Sequence, residues 1–290
     1  MNFKINTNKN PAMSKPVYIP RKQSGYAHTK CYLSHTNGCS TKITGEHCIS
    51  HNLLNKIEKQ NKTIDVVGLS WLPKDEMTSI GKKSLVSNVL CSQHNSDLSP
   101  LDSAIGDLVE AIGSIDVEYQ NPIPIGVNYC VDGSHLERWI LKTTLGLVNS
   151  GQIKQRSGEP FRLKSKCIEL LCSPAARWPL GWGLYIATPI GKIYHSSSFE
   201  LLPQHNAETG ELLALGLKFN GIAMTFLMGR PNPKTAFGVR RPSKIIFLKD
   251  LVKSEIAFSW SNNKAGKTIT FSHAGVYSGP SPDHQLSHEE

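Results

Sequence analysis

No apolar run in this 290-residue chain approaches the roughly 20 residues that a membrane-spanning helix needs. The first 30 residues contain no Asp or Glu, and they lack the apolar core of a secretory signal. These two absences lead us to expect a cytoplasmic protein with no membrane partner. No internal repeat is visible, which sets solenoids and propellers aside. There is also no even cysteine framework of the kind that staples small secreted domains. The seven cysteines, Cys31, Cys39, Cys48, Cys91, Cys130, Cys167 and Cys172, are thinly spread over a long chain, which suits metal ligation plus buried free thiols.

What is present is positive charge, unevenly placed. The formal net charge is +9, with six Lys/Arg and no acid in residues 1–30 and sixteen Lys/Arg against seven acids in residues 156–275. Residues 102–155 reverse the sign, with three basic and seven acidic groups. A basic balance distributed in this way suits a polyanion partner, and equally suits plain solubility.

The patterning divides the chain into a flexible basic arm (1–28), a Cys/His-rich segment (29–103), a helical connector (104–155), a basic β-rich domain (156–275) and a disordered tail (276–290). The fold class is α+β. Helices are expected at 50–60, 98–113 and 132–151. The second shows Leu101, Ile105, Leu108 and Ile112 at three- and four-residue spacing. In the third, Ser134 and Glu137 have capping-box spacing and Gly151 is the stop. After residue 160 come short β-branched and aromatic runs separated by Gly, Pro and Asn, CIELLCS and GWGLYIAT among them. They read as an antiparallel sandwich or barrel.

The chemistry-bearing residues lie in CYLSHTNGCSTKITGEHCIS (31–50) and VLCSQHN (89–95). Cys31 and Cys39 flank a turn, and Cys91 and His94 are spaced to reach one ion from the first turn of a helix. Together they make a Cys3His set for a structural zinc. Glu46 and His47 follow the strand-like STKIT, and Asn95 follows His94 directly. A carboxylate and an amide oxygen suit a hard cation such as Mg²⁺ or Mn²⁺, and an imidazole suits the activation of water. These are the parts needed for metal-assisted phosphodiester hydrolysis.

GEH and VLCSQHNSDLS resemble the HNH, or ββα-metal (His-Me finger), nucleases, and are most similar to the recombination endonuclease VII branch. Val89-Leu90 stands at the lead-in and Cys91 at the first cysteine. His94 takes the place of the second cysteine, Asn95 matches the asparagine and Leu98 the leucine. The resemblance implies a zinc-stapled, treble-clef-like ββα-metal module, with residues 50–85 as an insertion. It implies that His47 is the general base, that Glu46 and Asn95 hold a catalytic Mg²⁺ or Mn²⁺, and that Cys31, Cys39, Cys91 and His94 bind zinc. It also implies a DNA endonuclease that leaves a 5′ phosphate, acting in DNA processing or phage defence. A zinc-stabilised nucleic-acid-binding protein without catalysis is the alternative.

Each residue also has a plainer reading. The cysteines would be core thiols, Glu46-His47 a solvated strand end, and Asn95 a helix-start amide. His35 is a rival zinc ligand in a polar turn, and His51 and Asn52 are supporting polar groups. Cys48 is expected in the core. Arg230, Lys234, Arg240, Arg241 and Lys244 form an acid-free stretch that reads as a phosphate-contacting loop or a solvated hairpin tip. Trp178 and Trp182 either stack on a base or pack inside. Charge does not separate DNA from RNA. A homodimer and an activating ligand or partner protein remain open.

Overall fold

The structure is a computed structural model, and it describes residues 15–187, 192–195, 198–229, 238–261 and 265–276. In chain order these form β1 (Ile43–His47), α1 (His51–Ile57), β2 (Thr63–Val67), β3 (Thr78–Gly81), β4 (Val86–Cys91), α2 (Ser92–Leu98), α3 (Leu101–Gln120), β5 (Asn128–Asp132), α4 (Gly133–Asn149) and α5 (Ser165–Cys172). Nine further strands follow: β6 (Gly183–Ala187), β7 (Lys192–His195), β8 (Ser198–His205), β9 (Leu212–Phe219), β10 (Ile222–Leu227), β11 (Val239–Arg240), β12 (Lys244–Lys249), β13 (Val252–Ser259) and β14 (Ile269–Val276). The fold is α+β. No helix among the described residues is long and apolar enough to cross a membrane.

Three sheets are present among the described residues. β1 and β4 form an antiparallel pair. A seven-stranded sheet runs β11-β6-β10-β9-β8-β2-β3, and a five-stranded sheet runs β5-β13-β12-β14-β7. Antiparallel pairing was expected throughout, and the second large sheet departs from it: β5 lies parallel to β13, and β14 lies parallel to both β12 and β7. The reason is connectivity. β5 enters before α4 and its partner β13 arrives more than a hundred residues later, so no hairpin constrains its direction. Hairpins form where turn residues dictate them. Asn220 and Gly221, both at positive φ, reverse the chain between β9 and β10.

The helices follow local chemistry with two exceptions. Ser50 caps α1, accepting the Asn52 N–H, and Leu53, Leu54 and Ile57 face inward. α3 keeps the expected stripe and runs past Gly113, because Ile115 and Tyr119 extend the buried face. α4 is capped by Asp132, whose carboxylate accepts the His135 N–H at 2.9 Å, not by the expected Ser134–Glu137 box. Ser134 instead bonds to Ser261, and Glu137 turns inward to Arg241. The stretch CIELLC is helical, because Cys167, Leu170 and Leu171 fall on one buried face at helical spacing.

Two of the expected boundaries are crossed by the fold. β2 and β3, from the segment between Glu46-His47 and Cys91, join the seven-stranded sheet through parallel pairing of β2 with β8. The expected flexible arm is anchored at two points: Val17 and Ile19 are buried, and the Ile19 N–H bonds to the Cys172 carbonyl, while most residues from 15 to 28 are exposed. One hydrophobic core joins both halves of the chain. Residues 1–14, Arg230, Lys234 and residues 277–290 lie outside the described residues.

Candidate metal centre and its flanking residues

β1 and β4 pair antiparallel with Ile43 opposite Cys91 and His47 opposite Val86, and α2 begins at the residue after Cys91. The loop before β1 therefore lies against the N-terminus of α2. Cys31 and Cys39 come from that loop, Cys91 is the N-cap of α2, and His94 lies on its first turn. Their ligand atoms all lie within 4.8 Å of one another, and all four residues are buried. His94 Nδ1 is 3.3 Å from Cys31 Sγ, 3.6 Å from Cys39 Sγ and 3.2 Å from Cys91 Sγ. A zinc tetrahedron with bonds of about 2.3 Å to sulfur and 2.0 Å to nitrogen has an S···N edge of about 3.5 Å. The spacing fits such an ion.

The tautomer fits as well. The Thr36 hydroxyl donates its one proton to the Leu33 carbonyl at 2.8 Å. Its oxygen lies 2.8 Å from His94 Nε2 and so accepts from that nitrogen. The Nε2 proton leaves Nδ1 with a bare lone pair facing the three sulfurs, as a metal-ligating imidazole requires. Burial pushes the Cys31 thiol up to about 12 and also raises Cys39. Cys91 ends below an ordinary thiol: burial raises it, and the backbone N–H groups of His94 and Ser40 outweigh that. The cluster could bind a metal such as zinc. His35, the rival ligand, is exposed.

The other site residues divide between two places. Glu46 and Lys142 are both buried, and their side chains meet at 2.8 Å. Lys142 Nζ is also 2.8 Å from Asp102 Oδ2. This ion cluster joins β1 to the start of α3 and the middle of α4. Burial alone would lower the Lys142 pKa, and the two carboxylates more than reverse that, so the ammonium stays charged. Burial raises Glu46 against the pull of Lys142. Asn95 is half-buried at the start of α2, and its Nδ2 donates to Thr44 Oγ1 at 3.2 Å, leaving Oδ1 for another partner.

His47 is half-buried at the end of β1, with the His51 ring centroid 5.1 Å away. Burial lowers its pKa, and His51, Lys82 and Lys142 lower it further, so the imidazole is neutral at pH 7. Cys48 points into the core against α4, with Sγ 3.5 Å from Ser150 Oγ. Asn52 Nδ2 donates to the Asp102 carbonyl.

The basic stretch does not act as one loop. Arg240 lies in β11, with Nε donating to the Trp182 carbonyl, and Lys244 pairs with Glu255 at the surface. Arg241 is buried in a two-point ion pair with Glu137, at 3.0 and 2.7 Å, between the rings of Trp178 and Trp260. Its charge is taken up inside the fold, so the expectation that it contacts phosphate is corrected. Trp182 is in the core and Trp178 packs edge-on to Phe226.

Sequence reasoning missed Thr36, Asp102 and Lys142. Lys142 left a signal: Arg138 and Lys142, four apart, interrupt an apolar helix, and charges in that position need buried partners. Family models, curated proteins and solved structures give no match to the chain.

Proposed function

We propose that the chain is a metal-dependent endonuclease that hydrolyses phosphodiester bonds in DNA. One arrangement carries the reading: the antiparallel β1–β4 pair runs from β4 directly into α2, a Cys3His set able to hold zinc lies at the start of that helix, and a neutral histidine sits at the end of β1. His47 is the general base, taking a proton from the attacking water through its free imidazole nitrogen. Asn95 offers Oδ1 and Glu46 a carboxylate oxygen to a catalytic Mg²⁺ or Mn²⁺. When bound, that ion supplies electrophilic stabilisation of the phosphate and of the departing oxygen. Zinc at Cys31, Cys39, Cys91 and His94 would hold the loop before β1 to α2. Arg240 and Lys244 add positive charge along the DNA path.

A second reading, zinc-stabilised nucleic-acid binding without catalysis, draws on the Lys142 ammonium already seated on Glu46 at 2.8 Å. A plasmid-nicking assay with metal analysis separates the two. The nuclease reading expects about one zinc per chain, nicking that needs Mg²⁺ or Mn²⁺, and a loss of about 10²–10⁴-fold in His47→Ala with zinc retained. Zinc-loaded wild type that binds DNA but never nicks it with either cation would leave the binding reading standing.

A further inference from the structure

A cavity of ≈ 70 Å³ opens at the N-terminal end of α4, with Asp132, His135, Arg138, Trp178, Arg241 and Trp260 in its lining. Most of its polar groups are already engaged. Asp132 caps α4 by accepting the His135 N–H. Glu137 accepts two bonds from Arg241 and a third from the Leu184 N–H. Arg241 is held between two indole rings.

Arg138 is the exception. It is 3 % exposed. Its Nη2 donates to the carbonyls of Val17 and Leu171, while Nε and Nη1 have no hydrogen-bond partner among the described residues. No carboxylate among the described residues is in ion-pair contact with it, although Cys172 and Asp132 act on it through space and offset part of the burial. Burial brings its pKa down from 12.5 to about 10, which leaves the guanidinium charged at neutral pH. A buried, uncompensated charge is strongly disfavoured, and a folded protein retains one where something neutralises it. Arg138 therefore lines the cavity with two donors that have no partner among the described residues. Its walls include Pro16, Pro174 and the two tryptophans, a water-poor surround in which a charged hydrogen bond is strengthened.

We infer that this cavity binds a small free oxyanion, inorganic phosphate or a short carboxylate, with Arg138 supplying the compensating charge. The site stands apart from the Cys3His cluster in its residues, and the inference does not depend on the nuclease reading.

The test uses the full zinc-loaded chain at constant ionic strength. Inorganic phosphate and acetate are titrated separately, with tryptophan fluorescence, reporting Trp178 and Trp260, and thermal melting read in parallel. Saturable binding of either anion, with a rise in Tm at the same concentrations, is the expected result, and Arg138→Gln should weaken it about tenfold or more. Absence of saturable binding by both anions in the wild type overturns the inference. So does an unchanged affinity in Arg138→Gln that keeps the wild-type circular dichroism. If that variant does not fold, Arg138→Lys, which keeps the charge but loses the planar fork, is judged by the same criterion.

Discussion

Residue by residue, the chemistry turns on which side chains are free. His47 has no ion-pair partner among the described residues, and burial together with His51, Lys82 and Lys142 lowers its pKa from 6.5 against a smaller raising effect of Asp102. A general base works in its neutral form. The cleavage rate is therefore expected to rise with pH through a midpoint below 6.5 and to be level by neutrality, which a pH–rate profile at saturating Mg²⁺ checks. Lys142 presents the opposite case, a buried cation with two carboxylates. In Lys142→Met, Glu46 and Asp102 keep their charges without a counter-ion, at a cost of about 3–5 kcal/mol near pH 7. The sign with pH follows: Glu46 is already raised, loses its lowering partner, and is tolerated once protonated, so the deficit should shrink as pH falls toward 5. Urea unfolding of both proteins at the two pH values measures this; a deficit that grows on acidification would contradict it. Glu46-His47 and Asn95 were legible as polar residues in a suggestive order. The engagement of Glu46 by Lys142, 96 positions away, was not, because no local pattern encodes which buried charges meet.

Among the elements, α4 shows how far local rules reach. Its extent was readable from the apolar stripe and Gly151, yet the cap expected at Ser134 forms two residues earlier. Asp132 and Ser134 both have capping chemistry, and the structure spends Ser134 on Ser261. Asp132→Ala should cost about 1 kcal/mol, and Ser134→Ala much less, in matched chemical denaturation. Equal costs would return the cap to Ser134. CIELLC was misread because a short apolar run fits either period. Packing of Cys167, Leu170 and Leu171 on one face decided for helix. The proposed zinc at the Cys3His set would tie the β1–β4 pair to α2 in the same way. Cys91 both caps α2 and belongs to the Cys3His set, so Cys91→Ser is expected to abolish zinc stoichiometry and lower Tm, measured by metal analysis and melting.

For the molecule as a whole, the segment between His47 and Cys91 is built into the rest of the fold. It sends β2 and β3 into the seven-stranded sheet, where β2 lies beside β8. A fragment of residues 29–103 is therefore expected to stay largely unfolded even with zinc added, since β2 loses its partner and Glu46 loses Lys142. A cooperative melt of that fragment would show the segment to be self-sufficient. The sequence by itself determined the α+β class, the main helices and the four-ligand set, because each depends on residue type at short spacing: apolar period and ligand pairs close in sequence. Only the tertiary structure decided the parallel pairings, the burial of Arg241 against Glu137, the Glu46–Lys142–Asp102 cluster and the placement of Arg138 beside its cavity. These depend on which distant surfaces meet, and the free energy of a buried charge is set by its neighbours in space, not in sequence.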